Sequence, residues 1–317
     1  MVSLPKYRIK VPATSANLGP GFDLMGMSLD LHNEFEFVFA GKKEFQSFRK
    51  NGEPLPFSES DDLVLTSYKK YFQDLTKIES PPYYSCKMNL GLPLKGGLGS
   101  SASAIVAGLS LAHEVHKRLS PKSDIPSHKK FLQYLAEFEG HPDNTLPAYL
   151  GGFVFAYSVF GEDIRYFRKK FPNSVSVFVL TPKFHVSTEE SRKTLPKTYP
   201  TNDLIFNLSR IGAWMHFLDK RRFSDLVVAL EDRMHTPYRI PNDSPVASLL
   251  GELKTMRLGT CLSGSGPSVL IFVERKQIKI LAPKITDLVA QKMDEANIEY
   301  DLKQVHTDHL GVQIKTF

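Results

Sequence analysis

The sequence predicts a two-domain α+β protein. Strand and helix patterns alternate along the whole chain. At 317 residues the chain is long for one hydrophobic core and comfortable for two. The pattern also restarts after about residue 160. The expected division is 1–160 and 161–317, meeting softly near 155–165 because no linker marks the join.

The elements follow in order. Residues 7–11 read as a first strand, and a Pro/Gly-rich turn over 12–22 follows it. Residues 29–39, rich in Phe and Val, read as a second strand. Residues 44–60 give only a polar hairpin or loop. Asp61 and Asp62 then open a helix in which Val64, Tyr68, Tyr71, Phe72 and Leu75 recur at helical spacing. Tyr84, Cys86, Met88 and Leu90 alternate with Ser85, Lys87 and Asn89, as in a half-buried strand. A glycine-rich loop follows, then a helix with Ala102, Ile105, Val106, Leu109, Ala112 and His116 on one side. The next helix carries Phe131, Leu132, Leu135 and Phe138 and ends near Gly140, with Pro142 just beyond. Residues 151–157 and 175–180 read as strands. Helices are expected over 188–195, 203–218 and 223–230, and strands at 259–261 and 268–273. A helix and two terminal strands close the chain.

Hydrophobic residues make up 42% and charged residues 23%, so a packed interior is expected and disorder is not. The formal charge is 40 − 34 = +6. Basic residues are scattered and interleaved with acids, which argues against nucleic acid or a membrane surface as partner. The mild positive bias would still attract an anionic ligand. The two cysteines, Cys86 and Cys261, have no metal-ligand spacing and read as buried thiols, in keeping with a cytoplasmic location. The first residues lack the apolar core of a signal peptide, and no stretch approaches a membrane span.

Three loops carry the chemistry. The run Pro93-Leu94-Lys95-Gly96-Gly97-Leu98-Gly99-Ser100-Ser101-Ala102-Ser103 lies between a strand and a helix. Its glycines allow close backbone approach, and the helix start offers unpaired N–H groups and a positive dipole end to phosphate oxygens. It is neither a Walker A loop nor a dinucleotide fingerprint. On the glycines alone, a serine-capped turn and a phosphate loop weigh equally; the strand–loop–helix context favours phosphate. The run Pro12-Ala13-Thr14-Ser15-Ala16-Asn17-Leu18-Gly19-Pro20-Gly21-Phe22-Asp23 places Asn17 and Asp23 on a rigid loop. Alone, it reads better as a long turn with Asx caps. Cys261-Leu262-Ser263-Gly264-Ser265-Gly266-Pro267-Ser268 alone reads as a plain turn between strands.

Taken together and in this order, the three loops resemble those of the GHMP superfamily of small-molecule kinases, from about Lys10 to Val273. The loop from Pro12 to Asp23 looks like that of its homoserine kinase branch. So do Glu139-Gly140-His141-Pro142-Asp143-Asn144, Ser187-Thr188-Glu189-Glu190-Ser191-Arg192 and Asp232-Arg233-Met234-His235-Thr236-Pro237-Tyr238-Arg239. The resemblance implies an N-terminal, ribosomal-protein-S5-like α/β domain that binds ATP and a C-terminal, ferredoxin-like α+β domain. It implies ATP-dependent phosphorylation of the L-homoserine hydroxyl, a step of threonine biosynthesis.

By the same resemblance, Asn17, Asp23, His141, Asp143, Asn144, Thr188, Arg192 and Arg239 surround the amino-acid substrate. Residues 93–103 and Asp62 take ATP. Ser100 and Glu139, or its neighbour Glu137, hold Mg²⁺, a hard ion that prefers oxygen. The residue chemistry agrees: arginine suits a carboxylate, and an Asp and an Asn can accept from an ammonium. Whether Asp143 serves as a base stays open, as does a homodimer. The competing readings are a GHMP kinase with a mevalonate- or shikimate-type acceptor, and a non-catalytic ligand sensor on the same fold.

Overall fold

The computed structural model describes residues 3–159, 163–184 and 188–317, apart from the side chains of Ser123 and Thr188. Two sheets organise it. The first has seven strands: β1 (Tyr7–Ala16), β2 (Met25–Val38), β3 (Gln46–Arg49), β4 (Ser85–Leu90), β5 (Phe153–Val159), β6 (Asp163–Lys169) and β11 (Gln313–Thr316). The second is antiparallel, in the order β10 (Tyr300–Val305), β7 (Val175–Pro182), β9 (Val269–Glu274), β8 (Gly259–Leu262). That strand order, with helices in the two crossovers, is the ferredoxin-like arrangement.

The α+β class agrees with expectation. Sheet membership, however, crosses the expected division at 160. β6 forms a hairpin with β5, and β11 returns from the end of the chain to pair with β1. β6 carries Ile164, Tyr166 and Phe167 among charged residues with no strict alternation, and β11 has only four residues, so neither shows a clear hydrophobic period.

The first strand is longer than the sequence suggested. β1 runs through Pro12 to Ala16, where a turn was expected. Its register against β2 shifts between Pro12 and Ala13, the pairing jumping from His32 to Leu29. An irregularity is where a strand tolerates proline. Asp30 and Leu31 are left out of the ladder there, and the C-terminal segment enters. The Asp308 N–H donates to the Ser28 carbonyl, and the Asp30 N–H donates to that of His306.

Helices α1 (Leu63–Leu75), α2 (Ser100–Leu119), α3 (His128–Glu139) and α4 (Pro142–Leu150) cover the first sheet. α1 is capped by Asp62, whose Oδ1 accepts from the N–H groups of Val64 and Leu65. Gly140, at φ +86°, ends α3. α4 lay outside the expected elements. Pro142 occupies its first turn, where a missing N–H costs nothing, but Pro147 sits inside it. These helices bury one core with the alternating residues of β1, β2 and β4, such as Ile9, Val11, Phe35, Phe37, Cys86 and Met88.

The second sheet is covered on both faces. Phe178 and Leu180 face α9 (Pro245–Thr255) and α10 (Ile278–Glu295) through Leu249, Leu253, Ile285 and Val289. Val177 and Val179, on the opposite face, join Leu270 and Phe272 in a core that holds both sheets together. Met25, Met27 and Phe153 of the first sheet enter that core with Trp214 and Phe217 of α6 (Thr201–Lys220) and Leu226 of α7 (Phe223–Ala229). Trp214 stacks on Phe153 at 5.2 Å, and its Nε1 donates to the Leu18 carbonyl at 3.0 Å. Both cysteines are buried free thiols, and burial pushes them well above their usual pKa. Among the described residues, no helix is long and apolar enough to cross a membrane.

Candidate active site

The phosphate-loop geometry follows from its glycines. Gly99 enters α2 at φ +67° and gives the helix no side-chain cap, which leaves the first-turn N–H groups to a ligand. A Cβ on Gly97 would lie 2.4 Å from the Ser263 carbonyl oxygen. The Ser263 hydroxyl donates to the Gly97 carbonyl at 2.6 Å, and the Ser268 N–H donates to that of Gly96 at 3.3 Å. The second glycine–serine loop therefore braces the phosphate loop from behind. It also contributes Gly264 and Ser265 to a cavity of about 400 Å³ in front of it.

That cavity brings most of the expected residues together. It is lined by residues 95–97 and 99–102, by Asn17 and Asp23, by Glu139, His141, Asp143 and Asn144, and by Arg192 and Arg239. Pro93, Leu94, Leu98 and Ser103 do not line it, and Ser103 is fully buried, its hydroxyl donating to the Ser100 carbonyl and accepting from Asn33 Nδ2. A second cavity of about 550 Å³ adjoins through Leu63, Lys95, Ser100 and Ser101. Its wall includes Phe35, Phe57, Met88, Leu90 and Leu94, an apolar slot beside the phosphate loop. Ser187 and the side chain of Thr188 lie outside the described residues.

Two expected residues turn out to be structural locks. Asp62 has both oxygens engaged, by the cap on α1 and by the Ser47 hydroxyl at 2.7 Å. Its carboxylate fixes the rim of the second cavity, whose wall Asp62 joins. Asn17, at φ +70°, is 3% exposed. Its Nδ2 donates to the Gly264 carbonyl and its Oδ1 accepts from the Asp23 N–H. Asn17 thus spends its amide on the loop, as the Asx-turn reading had it.

The charged groups interlock. Arg192 donates to both oxygens of Asp23, at 2.9 and 2.8 Å, which raises its pKa. Arg239 donates to the Gly264 carbonyl at 3.0 Å, and its Nε is buried with no partner. Burial and repulsion from Arg192 both work against its charge. Both guanidiniums stand over the Phe22 ring, at 5.2 and 5.3 Å.

His141 meets Asp143 at 2.6 Å. Burial opposes the charged ring, but that bond and the charges of Asp143, Glu139 and Asp23 outweigh it and push its pKa up to about 9. The shift favours the charged ring, held against the Asp143 carboxylate. Asp23, His141 and Asp143 bring ligand-type atoms within 4.8 Å of one another, but the two carboxylates are already engaged by Arg192 and His141.

Glu139 differs from these. The residue is half-buried, yet its Oε2 is sealed from solvent and has no partner. Burial, opposed by His141 and helped by Asp143, pushes its pKa up to about 8. An orphan carboxylate oxygen on the cavity with the Ser100 hydroxyl fits a hard divalent cation. Glu137 is exposed and accepts from Gln133 instead.

Sequence reasoning missed the layer behind these residues. His235 is fully buried, with Nε2 2.8 Å from the Gly19 carbonyl. Asp232 accepts from the N–H groups of Met234, His235 and Thr236 and from Asn207. Gly26 allows the Asp143 carbonyl to approach where a Cβ would lie 1.8 Å away. The Asp232-to-Arg239 motif contained the first two; nothing local in the sequence pointed to Gly26.

The comparisons with known proteins agree with this architecture. The GHMP kinases N terminal domain family matches residues 62–152. A homoserine kinase of Petrotoga mobilis is 35% identical over 273 residues, 83% of each chain. The chain belongs to the homoserine kinase family. A second homoserine kinase, from Picosynechococcus, is 33% identical over 319 residues, 98% of this chain and 100% of that one. Among solved structures, homoserine kinase from Cytophaga hutchinsonii superposes with a TM-score of 0.80 over 99% of both chains, at 23% identity. The shared fold is that of a GHMP kinase, with the two-domain plan the resemblance implied.

Proposed function

We propose that this chain transfers the γ-phosphoryl group of ATP to the side-chain hydroxyl of L-homoserine, giving O-phospho-L-homoserine and ADP, a cytoplasmic step of threonine biosynthesis. The observation that carries the reading is Arg239. A guanidinium whose Nε is buried without a partner, and whose charge is opposed by burial and by Arg192, calls for an anion in the cavity. The homoserine carboxylate is such an anion, and bidentate recognition is what arginine does best. Arg192, paired with Asp23, holds that carboxylate in place to receive the ammonium.

On this reading the triphosphate lies against the first turn of α2 and residues 95–101, and the adenine enters the adjoining apolar slot. Ser100 and Glu139 would hold Mg²⁺, which neutralises phosphate charge when bound. The attacking hydroxyl oxygen bonds to phosphorus as the bond to the ADP oxygen breaks, and its proton leaves by way of the transferred phosphoryl oxygens to water. The transition state is loose, so alignment and charge neutralisation carry most of the rate, and a strong base is not required. His141 holds one Asp143 oxygen in a fixed place beside Asn144.

The test is ADP release measured with L-homoserine, mevalonate and shikimate as acceptors, with Arg239→Leu beside the parent chain. Turnover with homoserine alone is expected. Arg239→Leu should raise the homoserine KM about 10- to 100-fold, the size of a charge-assisted bond, with ATP KM unchanged. An unaltered homoserine KM in that variant removes the carboxylate anchor.

A further inference from the structure

We infer that Thr14, a residue away from the substrate-facing set, orients the amide of Asn144 and thereby sets the rate of phosphoryl transfer. The inference rests on the kinase reading above. Thr14 is completely buried near the end of β1, just past the register shift. Its hydroxyl donates to Asn144 Oδ1 at 2.8 Å. Its N–H donates to the Leu98 carbonyl of the phosphate loop at 3.2 Å. A Cβ built on Gly99 would lie 1.9 Å from the Thr14 hydroxyl oxygen, so the hydroxyl stands directly against the residue that opens α2.

One side chain therefore touches both halves of the reaction. On one side is the helix start that receives phosphate. On the other is the first turn of α4, where Asn144 follows His141 and Asp143. A carboxamide has one acceptor and one donor end. With Oδ1 committed to Thr14, Nδ2 is the end left for the cavity that Asn144 lines. A donor fixed there serves oxygens that gain charge as the phosphoryl group crosses. Without the hydroxyl, nothing on the Thr14 side selects between the two amide orientations, and the flipped one would turn an acceptor toward those oxygens. Thr14 is thus a positioning residue, acting through Asn144.

The experiment compares Thr14→Val, Thr14→Ser, Asn144→Ala and the Thr14→Val/Asn144→Ala pair, with steady-state kinetics, ATP-analogue binding by calorimetry and thermal midpoints. Valine keeps the shape and removes the donor. Thr14→Val is expected to lower kcat about tenfold or more, with both KM values and nucleotide affinity nearly unchanged. Thr14→Ser should recover most of that loss. In the Asn144→Ala background Thr14→Val should cost almost nothing further, because the group it orients is gone. A normal kcat in Thr14→Val overturns the inference. So does additivity in the double variant, or a serine variant as slow as valine. If the parent chain does not phosphorylate homoserine, the kinase reading fails on its own, whatever the variants do.

Discussion

At the scale of single residues, the cavity is distinguished by what is left unpaired. Asp23, Arg192, His141 and Asp143 satisfy one another, while Arg239 Nε and Glu139 Oε2 do not. Leaving a buried polar atom unsatisfied costs roughly 1–3 kcal/mol, which a folded protein tolerates where a ligand supplies the partner. Glu139→Gln is expected to raise the Mg²⁺ concentration needed for half-maximal rate about tenfold or more. Ser100→Ala should move it in the same direction, and homoserine KM should stay constant in both. A Mg²⁺ titration of initial rate checks this, and an unshifted curve for Glu139→Gln would assign the orphan oxygen to something other than the metal. These roles were only partly legible. The sequence brought Arg239 and Glu139 forward through motifs, but which of their atoms lack partners depends on residues far away in the chain. Asn17 and Asp62 line the cavities as well, and their bonds to Gly264, Ser47 and backbone N–H groups come from partners that only the fold supplies.

At the scale of elements, strongly periodic segments were legible and proline-punctuated ones were not. α1 and α2 announce themselves by spacing and by the Asp62 cap. α4, α8 (Thr236–Arg239) and α9 each have a proline in the first turn, which resembles a turn until the helix that follows is seen. Packing between α1 and α2 also has a pH signature. Tyr71 bridges His113 and His116, at 2.9 and 3.2 Å from their Nδ1 atoms, and His113 stacks on Phe131. Burial first, then the positive neighbours Lys117, His116 and His128, pushes the His113 pKa down to about 4. Between that value and the ordinary 6.5 the unfolded chain binds more protons than the folded one. The contribution of neutral His113 is complete above about 6.5 and is lost as pH falls toward 4. Urea midpoints should therefore drop from pH 7 to pH 5, and His113→Gln should flatten that slope. An equal slope in the variant would place the pH sensitivity elsewhere.

At the scale of the whole molecule, the site is assembled by the core that joins the two sheets. Trp214 lies in that core and also holds the Leu18 carbonyl of the loop carrying Asn17 and Asp23. Trp214→Ala is expected to cost roughly 3–5 kcal/mol of stability. It should also raise homoserine KM more than ATP KM if, as proposed, the Asn17 and Asp23 wall of the cavity takes the acceptor. Denaturant unfolding with steady-state kinetics measures both, and a stable variant with unchanged KM values would show that the joint and the loop are independent. None of this joint was visible in sequence, since periodicity shows which face of a segment is buried but not which distant face covers it.

The C-terminal segment ties the same two units together a second time. Thr307 bridges Leu29, Asp308 meets His32 at 2.9 Å, and β11 pairs with β1 until Lys6 and Phe317 exchange backbone hydrogen bonds. During synthesis these residues leave the ribosome after every other element described. Until then β1 presents an open edge, and the irregular stretch of β2 at Asp30 and Leu31 lacks its partner. The nascent chain therefore carries a waiting strand edge until the last of the described elements has emerged.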